Sequence, residues 1–151
     1  MRINKILCPV DSSESSEQAL KYATFLAWSH GSKLCLLHVI EHSHAFDEYM
    51  TSYAPPEIQG KLENEVENNL SSLIIRVEEC INIETDVRKG KAFVEIIRKA
   101  REDHVDLLVM GSHGRSGLEH ILTGSVAEKV TRKAPCPVLV VKNRDTRFAM
   151  P

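Results

Sequence analysis

The chain is 151 residues long, room for one domain of ordinary size and not for two. Hydrophobic residues make up 42% and charged ones 26%, and 19 basic side chains stand against 21 acidic ones for a formal net charge of −2. No surplus of Lys and Arg faces a polyanion, so bulk nucleic-acid binding is excluded, and no run approaches the roughly 20 apolar residues that span a membrane. A small phosphorylated ligand stays open, because it needs only local donors.

The first element is a short apolar run over residues 5–10, stopped by Asp11-Ser12-Ser13. From Ser15 the period changes. Ala19, Leu20, Ala23, Leu26 and Ala27 recur on one helix face, and His30-Gly31 ends the pattern. The run 34–40 follows at once and completes a strand–helix–strand unit, which normally joins a parallel pair. Residues 41–56 are polar and aperiodic and read as a surface loop. Pro56 suits the first position of a helix whose stripe runs through Ile58, Leu62, Val66, Leu70, Leu73, Ile74 and Val77.

Ile83, Thr85 and Val87 alternate with Glu84, Asp86 and Arg88, the pattern of a strand buried on one face, as at a sheet edge. Gly90 ends it, and Phe93, Ile96, Ile97 and Ala100 mark the next helix. A continuous apolar strand over 106–110 runs into Gly111-Ser112-His113-Gly114-Arg115-Ser116-Gly117. A short helix starts near Ser125, Pro135-Cys136-Pro137 stops it, and residues 138–141 form the last strand. Residues 1–143 are expected to make one domain, with a loose polar tail over 144–151.

Five strands alternating with four helices predict an open, doubly wound parallel α/β sheet with helices on both faces. The edge-like pattern at 83–88 and the central-looking runs at 5–10 and 106–110 favour the order 3-2-1-4-5. In such a sheet ligands bind beyond the carboxyl ends of the strands where the winding reverses, here between strands one and four. That points to Pro9-Val10-Asp11 and to Met110-Gly111 onward.

At that point Gly111, Gly114 and Gly124-Ser125 allow close approach of backbone N–H groups, and a helix N-terminus adds unpaired donors. Together with Ser125 and Arg115 they would cradle phosphate oxygens. The same residues also read as turn glycines and as a capping box, Ser125-Val126-Ala127-Glu128. Asp11 reads either as an acceptor for ribose hydroxyls or as a cap for the first helix, in competition with Ser12 and Ser13.

The opening run through Pro9-Val10-Asp11, the strand ending Leu36-Leu37-His38-Val39 and the spacing Gly111-xx-Gly114-x9-Gly124-Ser125 resemble the universal stress protein family, over about residues 3–142. The glycine pattern resembles that family's ATP-binding branch. The resemblance implies ATP, with or without Mg2+, and a homodimer or larger assembly. It implies that Asp11 contacts the ribose and that Val10 and Val39 border the adenine. Gly111, Gly114, Gly124, Ser125 and Val126 would hold the phosphates, with His113 and Arg115 beside them.

Little points to catalysis. No nucleophile elbow, Walker lysine or G-x-G-x-x-G is present, so slow ATP hydrolysis is the most expected. His42-x-His44 with Asp47 or Glu48 matches no standard zinc spacing, and His38 reads as a satisfied core histidine. Cys8, Cys35, Cys80 and Cys136 form no CxxC pair and read as reduced thiols; with no leader-like N-terminus, the expected location is the cytoplasm. The apolar run Val138–Val141 falls on an edge strand, which predicts pairing with the same strand of a second copy. The rival to nucleotide binding is a nucleotide-free dimeric interaction module.

Overall fold

A computed structural model describes residues 2–41, 52, 55, 81–113 and 124–142 of the chain. The expected helix over 56–77, the 42–51 stretch with its histidines, Gly114 and Arg115, and the tail from residue 143 lie outside the described residues. Strand β1 (Lys5–Pro9) is followed by helix α1 (Glu14–His30) and β2 (Lys33–Ile40). Then come β3 (Ile83–Lys89), α2 (Ala92–Glu102), β4 (Leu107–Gly111), α3 (Ser125–Lys133) and β5 (Val138–Val141).

The five strands form one sheet in the order β3-β2-β1-β4-β5, and every pairing is parallel. This is the predicted order. The outward winding from β1 to β3 and the return to β4 leave a crevice beyond the ends of β1 and β4.

Alternation along β1 and β2 divides the core. Ile6, Cys8 and Val10 with Leu34 and Leu36 meet Ala19, Leu20, Ala23 and Ala27 of α1. On the other face Leu7, Cys35 and Leu37 meet Ile96 and Ala100 of α2 and Ala127 and Val130 of α3. The three alanines on the buried face of α1 let that helix lie close to the sheet. Its outward face carries Tyr22, Phe25 and Trp28, all exposed.

Helix α1 has a defined start and stop. Ser13 is its N-cap and accepts from Ser16 N, while Glu14 and Glu17 in the first turn complement the positive end of the helix dipole. Gly31 at φ 63° ends it, and its N–H reaches the carbonyls of Ala27 and Trp28. A left-handed residue there is what glycine supplies at least cost.

The polar half of β3 does not simply face water. Lys99 on α2 reaches Asp86 at 2.9 Å and Asp103 at 3.1 Å, and Arg88 reaches Asp86 at 3.1 Å and Glu102 at 2.7 Å. Lys5 adds a bond to Asp103 at 3.1 Å, and Lys33 pairs with Glu84. The alternation of β3 thus separates an apolar core face from an ion-paired face under α2.

Candidate functional site

The site is built by what happens just after β1. Val10 continues the ladder by donating its N–H to the Leu37 carbonyl at 2.8 Å. Ser12 then takes φ 63°, an uncommon conformation for a residue with a Cβ, and turns the chain back. As a result Asp11 Oδ1 accepts from Ser13 N at 3.1 Å and Ser13 Oγ at 2.6 Å, and Asp11 N donates to Ser16 Oγ at 3.2 Å. Asp11 does not cap α1; it orients the residue that does, and it lines the crevice.

Across the crevice, Met110-Gly111 ends β4. A Cβ on Gly111 would meet Ser15 Oγ and lie 2.7 Å from the Ser15 carbonyl carbon, so this glycine lets the first turn of α1 close against β4. Ser112 is 2% exposed and anchors the loop that follows. Its N–H donates to Val141 O at 2.8 Å and its carbonyl accepts from Gly124 N at 2.7 Å, which draws the two ends of that loop together. Its Oγ lies 2.9 Å from His113 Nδ1, and His113 N donates to Ser15 Oγ at 3.3 Å.

Gly124 is the N-cap of α3, with no side-chain cap, and Ser125 is already the first helical residue. The capping box is therefore not formed: the Glu128 carboxylate lies 3.6 Å from Arg132. The first-turn N–H groups of Ser125, Val126 and Ala127 have no intrahelical acceptor and carry the positive end of the helix dipole. They border the crevice.

The start of α2 is arranged differently. Its N-cap, Lys91, makes no side-chain cap bond, and the Glu41 carboxylate accepts from Ala92 N instead. The crevice, about 440 Å³, runs between these two helix ends. Pro9, Val10, Asp11, Val39, Met110, Gly111, His113, Gly124, Ser125 and Val126 all line it. Gly114 and Arg115 lie outside the described residues. Ser16, Glu41, Ala92 and Ile96 also line it and were not singled out from the sequence, where their separation along the chain conceals their proximity.

His38 is satisfied as expected but stands in the crevice wall rather than in the core. Its Nδ1 lies 2.8 Å from Val10 O, and since a carbonyl only accepts, Nδ1 carries the proton.

Among the described residues, one group has metal-ligand character: Cys35, Glu84 and Asp103, with ligand atoms within 4.8 Å of one another. It lies among Lys5, Lys33 and Lys99, whose ammonium groups already balance its carboxylates. Burial above all pushes the Cys35 thiol up to about 12, and burial does the same to Cys8. Both thiols are therefore held protonated at neutral pH, and the thiolate is the reactive form.

Comparison with known proteins matches residues 2–142 to the universal stress protein family. Universal stress protein YxiE of Bacillus subtilis is 33% identical over 146 residues, covering 92% of this chain and 99% of that protein. Universal stress protein MJ0531 of Methanocaldococcus jannaschii is 36% identical over 139 residues, covering 91% and 81%. The solved structure of MJ0577, from the same archaeon, superposes with a TM-score of 0.83 at 33% identity, covering 96% of this chain and 99% of that one. Two structures similar in fold alone, at 22% and 20% identity, are a universal stress protein in complex with cAMP (TM-score 0.69) and one from Arabidopsis thaliana with AMP bound (TM-score 0.64).

Proposed function

The chain belongs to the universal stress protein family, and on that premise we propose that it is a regulatory protein that binds an adenine nucleotide, ATP by its glycine pattern, in the crevice between β1 and β4. The observation that carries this reading is the uncapped N-terminus of α3 facing Asp11 across the switch point. Donors at one place and a carboxylate at another suit a ligand with a phosphate chain and a hydroxyl-bearing sugar.

In this reading the backbone of Gly124, Ser125 and Val126 receives the phosphates, with Gly111, Gly114, His113 and Arg115 beside them. Asp11 accepts from the ribose hydroxyls, and Pro9, Val10, Val39 and Met110 border the base. Mg2+ would enter with the nucleotide, bound to its phosphates. Turnover is absent or slow, and the output is a change in the glycine loop or in a homodimer formed through β5. The existence of such fold neighbours with cAMP and AMP supports the capacity of this architecture for adenine nucleotides.

The test is to purify the protein, denature it and identify released nucleotide by mass spectrometry, with Gly124→Val in parallel. Gly124 has φ −63° and ψ 153°, which any residue adopts, so the substitution brings no backbone strain, and in this reading it adds bulk where the phosphates would lie. About one equivalent of ATP or ADP from the parent and none from the variant is expected. Equal nucleotide in both overturns the cradle. No nucleotide, followed by a failed titration with Mg-ATP, overturns the function.

A further inference from the structure

The two helix N-termini at the ends of the crevice have opposite characters. At α3 the first-turn N–H groups are left to a ligand, whereas at α2 the protein supplies its own anion. Glu41 follows the last residue of β2, and its carboxylate reaches the first backbone N–H of α2, at Ala92. Two further features hold it there: Gly90 N donates to Ile40 O at 3.0 Å, fixing the turn next to it, and the positive end of the α2 dipole favours its charge.

Val39, Ala92 and Ile96 supply apolar lining to the crevice that Glu41 also lines, and Glu41 itself is exposed at its rim. Apolar faces with a polar group at the rim suit a flat heteroaromatic ring that presents an edge to that group. One carboxylate oxygen is engaged by Ala92; the other can only accept, since an ionised carboxylate has no proton to donate.

We propose that Glu41 is a specificity-determining residue that selects bases carrying an exocyclic amino group over bases carrying a carbonyl at the same position. The inference rests on the nucleotide reading of the crevice and adds to it which edge of the base is read. An amino group donates to the carboxylate. A carbonyl oxygen faces it acceptor to acceptor, losing a charge-assisted bond and adding repulsion. A site built to bond an N–H discriminates more strongly against its absence than an apolar pocket discriminates by size. The position of Glu41 also excludes a ligand phosphate from the α2 end, so that the ligand enters with its phosphates towards α3.

ATP and ITP differ along this edge, an amino group beside an unprotonated N1 in one and a carbonyl beside an N1–H in the other. The inferred contact sets the carboxylate against the exocyclic group and not against N1. Equilibrium dialysis of both against the full chain should give at least about a tenfold preference for ATP, the size of one well-made bond. Glu41→Gln keeps the side-chain length and an oxygen for Ala92 N, but places an amide N–H₂ where the second carboxylate oxygen was. Its ATP/ITP ratio should fall to near one or invert. Glu41→Ala should lower the ratio without inverting it. An unchanged ratio in Glu41→Gln, with ATP still bound, overturns this inference and leaves nucleotide binding intact. Failure of the parent to bind either nucleotide overturns both.

Discussion

Gly111 and Gly124 belong to the same glycine spacing, yet their surroundings give them different work. The missing side chain of Gly111 makes room for Ser15 in the first turn of α1, which is a requirement of the fold. Gly124 lies in an ordinary extended conformation and lines the crevice, where the proposed reading puts the phosphates. Gly111→Ala is therefore expected to destabilise by about 1–3 kcal/mol, the usual cost of forcing a methyl group into packed structure. At about 2–4 °C per kcal/mol for a domain of this size, thermal melting should fall by several degrees. Gly124→Val should lower the melting temperature by less than this, because only the N-cap preference for glycine over valine is lost. The reverse order of stabilities would overturn this division of roles.

At the scale of elements, the joint between β3 and α2 sets how stability depends on pH. Partial burial raises the carboxyl pKa values of Glu84, Asp86 and Asp103, but bonds to and charges of Lys33, Lys99, Arg88 and Lys5 outweigh it and bring all three below their ordinary values. A depressed folded pKa contributes stability that is present above the unfolded value and lost as the pH falls through the folded one. The ordinary values are 4.5 for Glu and 3.8 for Asp, so acid loss should begin near pH 4.5 and deepen below it.

The buried thiols act at the other end. Cys8 and Cys35 are raised by burial from 9.0 to about 12, so their contribution is full below pH 9 and is lost as the pH climbs towards 12. Denaturant midpoints measured across pH should form a plateau between these limits. Lys99→Met should lower the plateau and make the acid loss shallower, because Asp86 and Asp103 would then titrate closer to their unfolded values. A midpoint falling already between pH 7 and 8 would contradict the thiol assignment.

For the whole molecule, the sheet order leaves β5 outermost beside β4, with Leu139 37% exposed and Val141 buried. Apolar residues on an edge strand invite pairing with another strand, and two-fold pairing of β5 with β5 is the closed form of that contact. Sedimentation at tens of micromolar, where weak dimers populate, should show a dimer, and Leu139→Lys should shift it towards monomer. A monomeric parent would overturn the homodimer and, with it, the interaction-module alternative. Among the described residues no helix is long and apolar enough to cross a membrane.

The amino-acid sequence determined the strands, their order and the switch point, because each depends on local pattern. Continuous runs at 5–10 and 106–110 mark strands covered on both faces, and the alternation at 83–88 marks an edge. It also carried Asp11 and the glycine spacing, which sit at the ends of those elements. Only the tertiary structure decided what those ends meet. Glu41 and Ala92 are brought together by the parallel pairing of β2 with β3, and no periodicity in the chain relates them. The closeness of Gly111 to Ser15 depends on how α1 settles against β4, and the pairing of Glu84 with Lys33 depends on strand register. Local pattern reports which way a side chain faces; which atoms lie opposite it is a property of the packed sheet and helices.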